Sequence, residues 1–269
     1  MIKIKNFFGL VKIAVLERVK YKFNFFMTFF SSLLYSFLYM MLWKAIYHFK
    51  PDQVMDYQSL LTYVMIAQAC NFSRWSPADR APVYENARRI QSGDIVIDLL
   101  RPADYQYQKF CEACGFFIIE FIFVNIPMIL FFIFVFHIDL PAGLTGSLSF
   151  FASLIVAFLT SFMLNQIVMT LTFWTHNAQG LQIAKKAIAD LFAGTLIPFS
   201  FFPAWLKKTA GYMPFQAMSY IPVSIYTGSV KGKEIIFIFI KQIFWFFIMF
   251  VISRLLFKRL VKKLTVYGG

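Results

Sequence analysis

The chain has 269 residues, of which 59% are hydrophobic and 20% aromatic, with 36 Phe among them, while only 14% are charged. Soluble domains carry roughly 25% charged residues, so this composition leaves too little polar surface for a water-soluble globule and far too many apolar residues for disorder. The 26 Lys and Arg against 13 Asp and Glu give a net charge of +13, which in a membrane protein bears on orientation and lipid rather than on nucleic acid. A hydrocarbon core about 30 Å thick takes about 20 apolar residues per helix, so the length holds six spans and no separate soluble enzyme domain.

In chain order, residues 3–22 set Ile4, Phe7, Phe8, Val11 and Val15 at helical spacing with lysines and Glu17 on other faces, which predicts an amphipathic helix in the headgroup plane. The interleaved charges of this segment do not make a cleavable signal peptide. Apolar stretches predict spans at about 24–43, 57–73, 111–136, 147–174, 187–202 and 235–256. The second is interrupted by Gln58, Thr62, Gln68 and Asn71, polar residues that call for burial against protein rather than lipid. Residues 74–109 form the longest non-membrane stretch, and 198–228 form an aromatic segment broken by Pro198, Pro203, Pro214 and Pro222. No internal repeat is present, so the whole chain reads as a single transmembrane domain, all-α, with six helices.

Orientation follows from the distribution of Lys and Arg. With the N-terminus inside, the inner segments carry 19 of these residues and the outer segments 6, leaving Lys241 within the last span. Both termini are therefore expected in the cytoplasm. Trp43, Trp205 and Tyr212 are expected as anchors at the outer interface.

Ionisable residues inside a bilayer are functional candidates because uncompensated charge there is costly. Glu120, Asp190 and Lys241 are the three, with possible roles along a pathway or between subunits. Asp190 lies four residues after Lys186, the spacing of a local ion pair. Glu120 has no partner nearby in sequence; it would line a path, bind a basic residue of another subunit, or be protonated. Lys241 is long enough to snorkel outward. Cys111 and Cys114 match Cys-x-x-Cys but start a membrane helix and lack the context of a redox motif. His48, His137 and His176 fall in three separate loops, so no metal site is expected, and no catalytic constellation is present.

The stretch 74–109 holds the densest set of signals. Tyr84 to Gln91 suits a short helix that Gly93 ends, and Ile95 to Leu100 is apolar on more than one face. Such a segment either folds back on its own bundle or takes a partner. Its run "IQSGDIVIDLLRP" (90–102), "LWKAIY" (42–47) closing the first span, "MPFQAMSYIPVSIYTG" (213–228) before the last, and the C-terminal "QIFWFFIMFVISRLLFKRLVKKLTVYGG" (242–269) together resemble the type-2 ABC transporter permeases. The resemblance is closest to the small six-span permeases of drug and antimicrobial-peptide exporters, and it covers essentially the whole chain.

That resemblance implies a coupling helix at about 78–98 that docks on a separate ATPase subunit, with Tyr84, Glu85, Arg88, Arg89 and Asp94 as contacts. Residues 3–22 become a connecting helix and 198–228 an outer re-entrant hairpin. It further implies two copies of the ATPase carrying ATP and Mg, a second permease subunit, identical or related, and a bacterial plasma membrane as location. The chain itself is expected to hold no cofactor. A P-loop needs Gly-x-x-x-x-Gly-Lys-Ser/Thr, whereas Gly232-Lys233 is followed by Glu234 and has Thr227 in the first glycine's place. The contrasting reading is an ATP-independent carrier or assembly factor. Carriers repeat their broken helices in both halves, and here the proline breaks cluster in one.

Overall fold

The computed structural model describes residues 2–20, 22–49, 55–75, 77–100, 104–141, 143–175 and 178–261. Regular structure among them is entirely helical. The helices are α1 (Ile2–Val19), α2 (Lys22–Phe49), α3 (Tyr57–Trp75), α4 (Pro77–Gln91), α5 (Ile95–Leu99), α6 (Tyr105–Glu120), α7 (Ile126–Phe136), α8 (Gly143–Thr175), α9 (Ala178–Phe192), α10 (Ala204–Gly211), α11 (Tyr220–Tyr226) and α12 (Lys233–Val261). A π-helical turn, Phe121–Asn125, joins α6 to α7, and short 3-10 turns occupy Phe199–Phe201 and Pro214–Met218.

Four helices among the described residues are long and apolar enough to cross a membrane: Phe25–Phe49, Tyr105–Phe136, Gly143–Thr175 and Lys233–Arg259. Each contains or closely overlaps an expected span. The weak second span expected from the sequence falls on α3, which is not among the four, and its weakness has a physical cause. Residues 60–71 are buried without a break, more than three turns, so every face of α3 meets protein. Thr62, Gln68 and Asn71 are accordingly buried, whereas Gln58 is exposed at the helix start.

The expected fifth span, 187–202, is not one helix. α9 begins at Ala178 and stops at Phe192, and the chain continues through turns and the short helices α10 and α11. Pro198, Pro203 and Pro214 lack the N–H that a continuous helix requires. The carbonyls exposed by these breaks are met by side chains, as buried backbone demands. Tyr63 donates its hydroxyl to the Gly194 carbonyl at 3.0 Å and Gln68 its amide to that of Thr195 at 3.2 Å. Gln216 donates to Ala210 at 2.9 Å, and Gln242 of α12 donates to Ala217 at 2.8 Å. The polar residues of α3 thus serve the broken backbone beside it.

Two apolar cores lie at opposite ends of α8, a helix of 33 residues and hence about 50 Å long. One gathers around α3, with Met65, Ile66, Met128, Phe132, Phe150 and Ile225. The other gathers around α4, with Val83, Ile90, Ile95, Tyr105, Met169 and Phe173. α12 descends alongside α8 in parallel, as the successive pairs Ser153–Gln242 and Phe173–Phe257 record.

Two expectations need correction. α1, expected to lie in the headgroup plane, runs side by side with α6, the first half of the Tyr105–Phe136 helix: Phe7 meets Phe110, Ala14 meets Gly115 and Arg18 meets Glu120. The near-constant offset defines a parallel helix pair. Gly115 permits it, because a Cβ there would stand 2.8 Å from Ala14 Cβ and 2.9 Å from the Val11 carbonyl oxygen. Trp43, expected at the interface, is only 6% exposed and packs on Phe201 with ring centroids 5.1 Å apart. Trp205 and Tyr212 are exposed. His176 and the tail from Lys262 to Gly269 lie outside the described residues, as do Arg101 and Pro102 of the loop motif.

Candidate functional site

α4 is a two-faced helix because its buried residues recur at i, i+3, i+4 and i+7. Val83, Asn86, Ala87 and Ile90 are buried against α8 and α9, while Tyr84, Glu85, Arg88 and Gln91 stand exposed on the other side. Gly93, at φ +80°, takes the left-handed conformation that ends the helix, its N–H donating to the Ile90 carbonyl at 3.3 Å. α5 then turns back beneath α4. Ile95 and Asp98 point inward, and Asp94, Ile97 and Leu100 point out. The segment therefore does both things its composition allowed: it folds on its own bundle with one side and leaves a mixed charged and apolar side free.

Sequence reasoning grouped Arg88 and Arg89, and the structure separates them. Arg88 is exposed on the outward face. Arg89 Nε lies 2.6 Å from Asp98 Oδ2, and Arg89 also reaches Glu85 at 4.0 Å. Arg89 thus braces α4 against α5. Asp94 accepts a 2.7 Å hydrogen bond from the Ser92 hydroxyl in the turn between them. Tyr84, Glu85, Arg88 and Asp94 share the open face, with Ile97 and Leu100 as exposed apolar neighbours.

The element is anchored beneath by a residue that the sequence reading did not single out. The Asn86 side chain donates to the Met169 carbonyl at 3.1 Å and to Thr172 Oγ1 at 2.9 Å, and its oxygen accepts from the Tyr105 hydroxyl at 2.7 Å. Its signal was a lone polar position in the apolar stripe of α4.

The three ionisable residues that the sequence places within expected spans do not converge. Glu120 is held by Arg18 of α1, Nη2 to Oε1 at 3.1 Å, with side-chain exposures of 14% and 4% for Arg18 and Glu120. Phe25 and Phe116 place their rings 5.5 and 5.7 Å from the guanidinium, a cation–π arrangement. Glu120 also marks where regular α-helix ends and the π-turn begins. Pro127 accounts for that turn, since it cannot donate to the carbonyl four residues back. Arg18 lies 102 positions away, which no local pattern reveals.

Asp190 pairs with Lys186 at 2.6 Å, the contact that their spacing predicts. Lys185 bonds Asn165 of α8 beside it. Lys241 donates to Gln216 Oε1 at 3.1 Å, which ties it to the broken segment rather than leaving it to snorkel unassisted. Cys111 is buried and Cys114 half-buried. Among the described residues no three His, Cys, Asp or Glu gather as a metal site would require.

An all-helical bundle in which four of the described helices are long and apolar enough to cross a membrane has the make-up of a multi-pass membrane protein. Residues 56–268 match the family model described as ABC-2 family transporter protein, and the chain belongs to that family. The match takes in α3 to α12 and leaves α1 and α2 outside it. No curated protein matches the chain. Family membership makes this chain a permease, a membrane component of the kind that generally works with an ATPase partner.

Proposed function

We propose that this chain is the permease subunit of an ATP-driven exporter, with the outward face of α4 and α5 as the dock for a separate ATPase. The observation that carries the reading is the division of this element into two faces. Its buried stripe is fixed to the ends of the spanning helices, and its free side offers Tyr84, Glu85, Arg88, Asp94, Ile97 and Leu100. A free face of charged and apolar residues fits a protein surface better than water.

In this reading the chain crosses the membrane six times with both termini in the cytoplasm. α3 is the second crossing, and α9 with the Phe199–Tyr226 segment forms the fifth crossing and an outer re-entrant hairpin. Two ATPase copies bind ATP and Mg and close on it. A second permease, identical or related, completes the pathway in a bacterial plasma membrane. The closing motion is passed through rigid packed elements, so the chain carries out transduction rather than bond chemistry. The Phe- and Met-rich interior suits amphipathic drugs, antimicrobial peptides or lipid-like molecules.

The test is co-expression with the ABC ATPase encoded beside it and purification through a tag on this chain. Stoichiometric recovery of ATPase with measurable ATP turnover is expected. A chain that purifies alone from cells that express both proteins contradicts the proposal.

A further inference from the structure

Docking explains the open side of α4, but a push on that side does nothing unless the element is fixed to the helices that move. Of the four residues on the buried stripe, Val83, Ala87 and Ile90 make apolar contacts only. Apolar contact is non-directional and fixes position along a neighbouring helix weakly. Hydrogen bonds are directional, and a buried polar group specifies register where apolar packing does not. We propose that Asn86 is a positioning residue that locks the α4–α5 element to α6 and α8, so that displacement of the docking face moves those helices with it. The proposal rests on the permease reading above.

The geometry makes Asn86 a junction. Both amide protons are taken by α8, at the Met169 carbonyl and Thr172 Oγ1, and the Thr172 hydroxyl itself donates to Met169 at 2.6 Å. The amide oxygen is taken by Tyr105, the first residue of α6. The Tyr105 ring stacks on Phe257 of α12, with centroids 5.9 Å apart and planes 4° apart. One residue earlier, Asp104 caps α6 through the Tyr107 N–H at 2.8 Å and binds Arg254 of α12 at 2.9 Å through each carboxylate oxygen. The ends of α6 and α8 thus meet at one side chain, 1% exposed and on the opposite side of α4 from the docking face, and α12 joins them through Tyr105 and Asp104. A change at Asn86 separates transmission from docking.

The test uses the full chain in complex with its ATPase in lipid membranes, with Tyr212→Cys as a reporter at the exposed end of α10. The labelling rate with a membrane-impermeant maleimide is measured with ADP and with ATP plus vanadate, after subtraction of the rate from the chain lacking the reporter. With Asn86 in place, the rate is expected to differ between the two nucleotide states. Asn86→Leu is expected to bind ATPase stoichiometrically and keep its basal ATP turnover, while the nucleotide-dependent difference is lost. Tyr105→Phe, which removes one of the three bonds, should fall between.

An Asn86→Leu complex that retains the nucleotide response overturns the proposal. So does one that fails to assemble or melts well below the native complex, because Asn86 is then a structural residue only. An active native complex with no response at position 212 likewise overturns it, since nothing is transmitted. Failure of the native chain to bind any ATPase overturns the function proposed above as well, and so is distinguished from failure of the joint alone.

Discussion

Glu120 and Arg18 set the sharpest energetic constraint on single residues. Glu120 is buried and Arg18 half-buried, their charges meet at 3.1 Å, and two aromatic rings flank the guanidinium. Removal of one partner of a buried ion pair strands the other charge and costs about 3–5 kcal/mol, whereas replacement of both by apolar residues is often nearly neutral. Glu120→Leu should therefore lower the thermal melting midpoint of the detergent-solubilised protein strongly, and Arg18→Leu/Glu120→Leu should recover most of that loss. A double variant as unstable as the single would show that the pair is not what holds α1 to α6. Gly115 provides a second test of the same contact. Gly115→Val brings a side chain into Ala14 and Val11 and should free α1, seen as faster tryptic cleavage after Arg18. The residue scale was also the least legible in sequence. Glu120 stood out as a buried charge, but Arg18, 102 positions away, was one of six basic residues in a segment that looked superficial. Asp190 could be assigned because its partner Lys186 is local, within one helical turn.

At the scale of elements, α4 and α5 separate two arginines that sequence alone treats as equivalent. Arg88→Glu reverses a charge on the open face and should abolish ATPase capture while leaving the melting midpoint of the isolated chain unchanged. Arg89→Glu instead replaces the cation that lies 2.6 Å from Asp98 with a like charge and should destabilise the chain itself, with loss of ATPase following from a displaced α5. Equal stability of the two variants would contradict the brace. Local signals made the end of this element readable: a short helix through Gln91 with a stop at Gly93 is a local property, and the helix ends where Gly93 predicts. The long apolar helices were readable for the same reason. The segment after Phe192 was not, because its apolar residues satisfy a hydropathy pattern whether or not the backbone is continuous. Its path is decided by hydrogen bonds from distant side chains, Tyr63, Gln68 and Gln242. Trp43 was misplaced for a related reason: an aromatic near a span end marks an interface only when no neighbouring segment covers it, and Phe201 does.

For the whole molecule, α8 joins a core built on α3 at one end to a core built on α4 at the other, and the exposed face of α4 and α5 lies outside the second. Family membership fixes the chain as a permease; the central claim is that its ATPase binds on that face and at that end. Site-specific photocrosslinking in the assembled complex tests this most directly. A benzophenone amino acid is placed at Tyr84 and at Leu100, which are exposed on α4 and just after α5, and at Phe134, which is 73% exposed near the far end of α7. Crosslinks to the ATPase from positions 84 and 100, and none from 134, are the result the account predicts. An ATPase that crosslinks from 134, or from neither 84 nor 100 while it co-purifies with the chain, would contradict it.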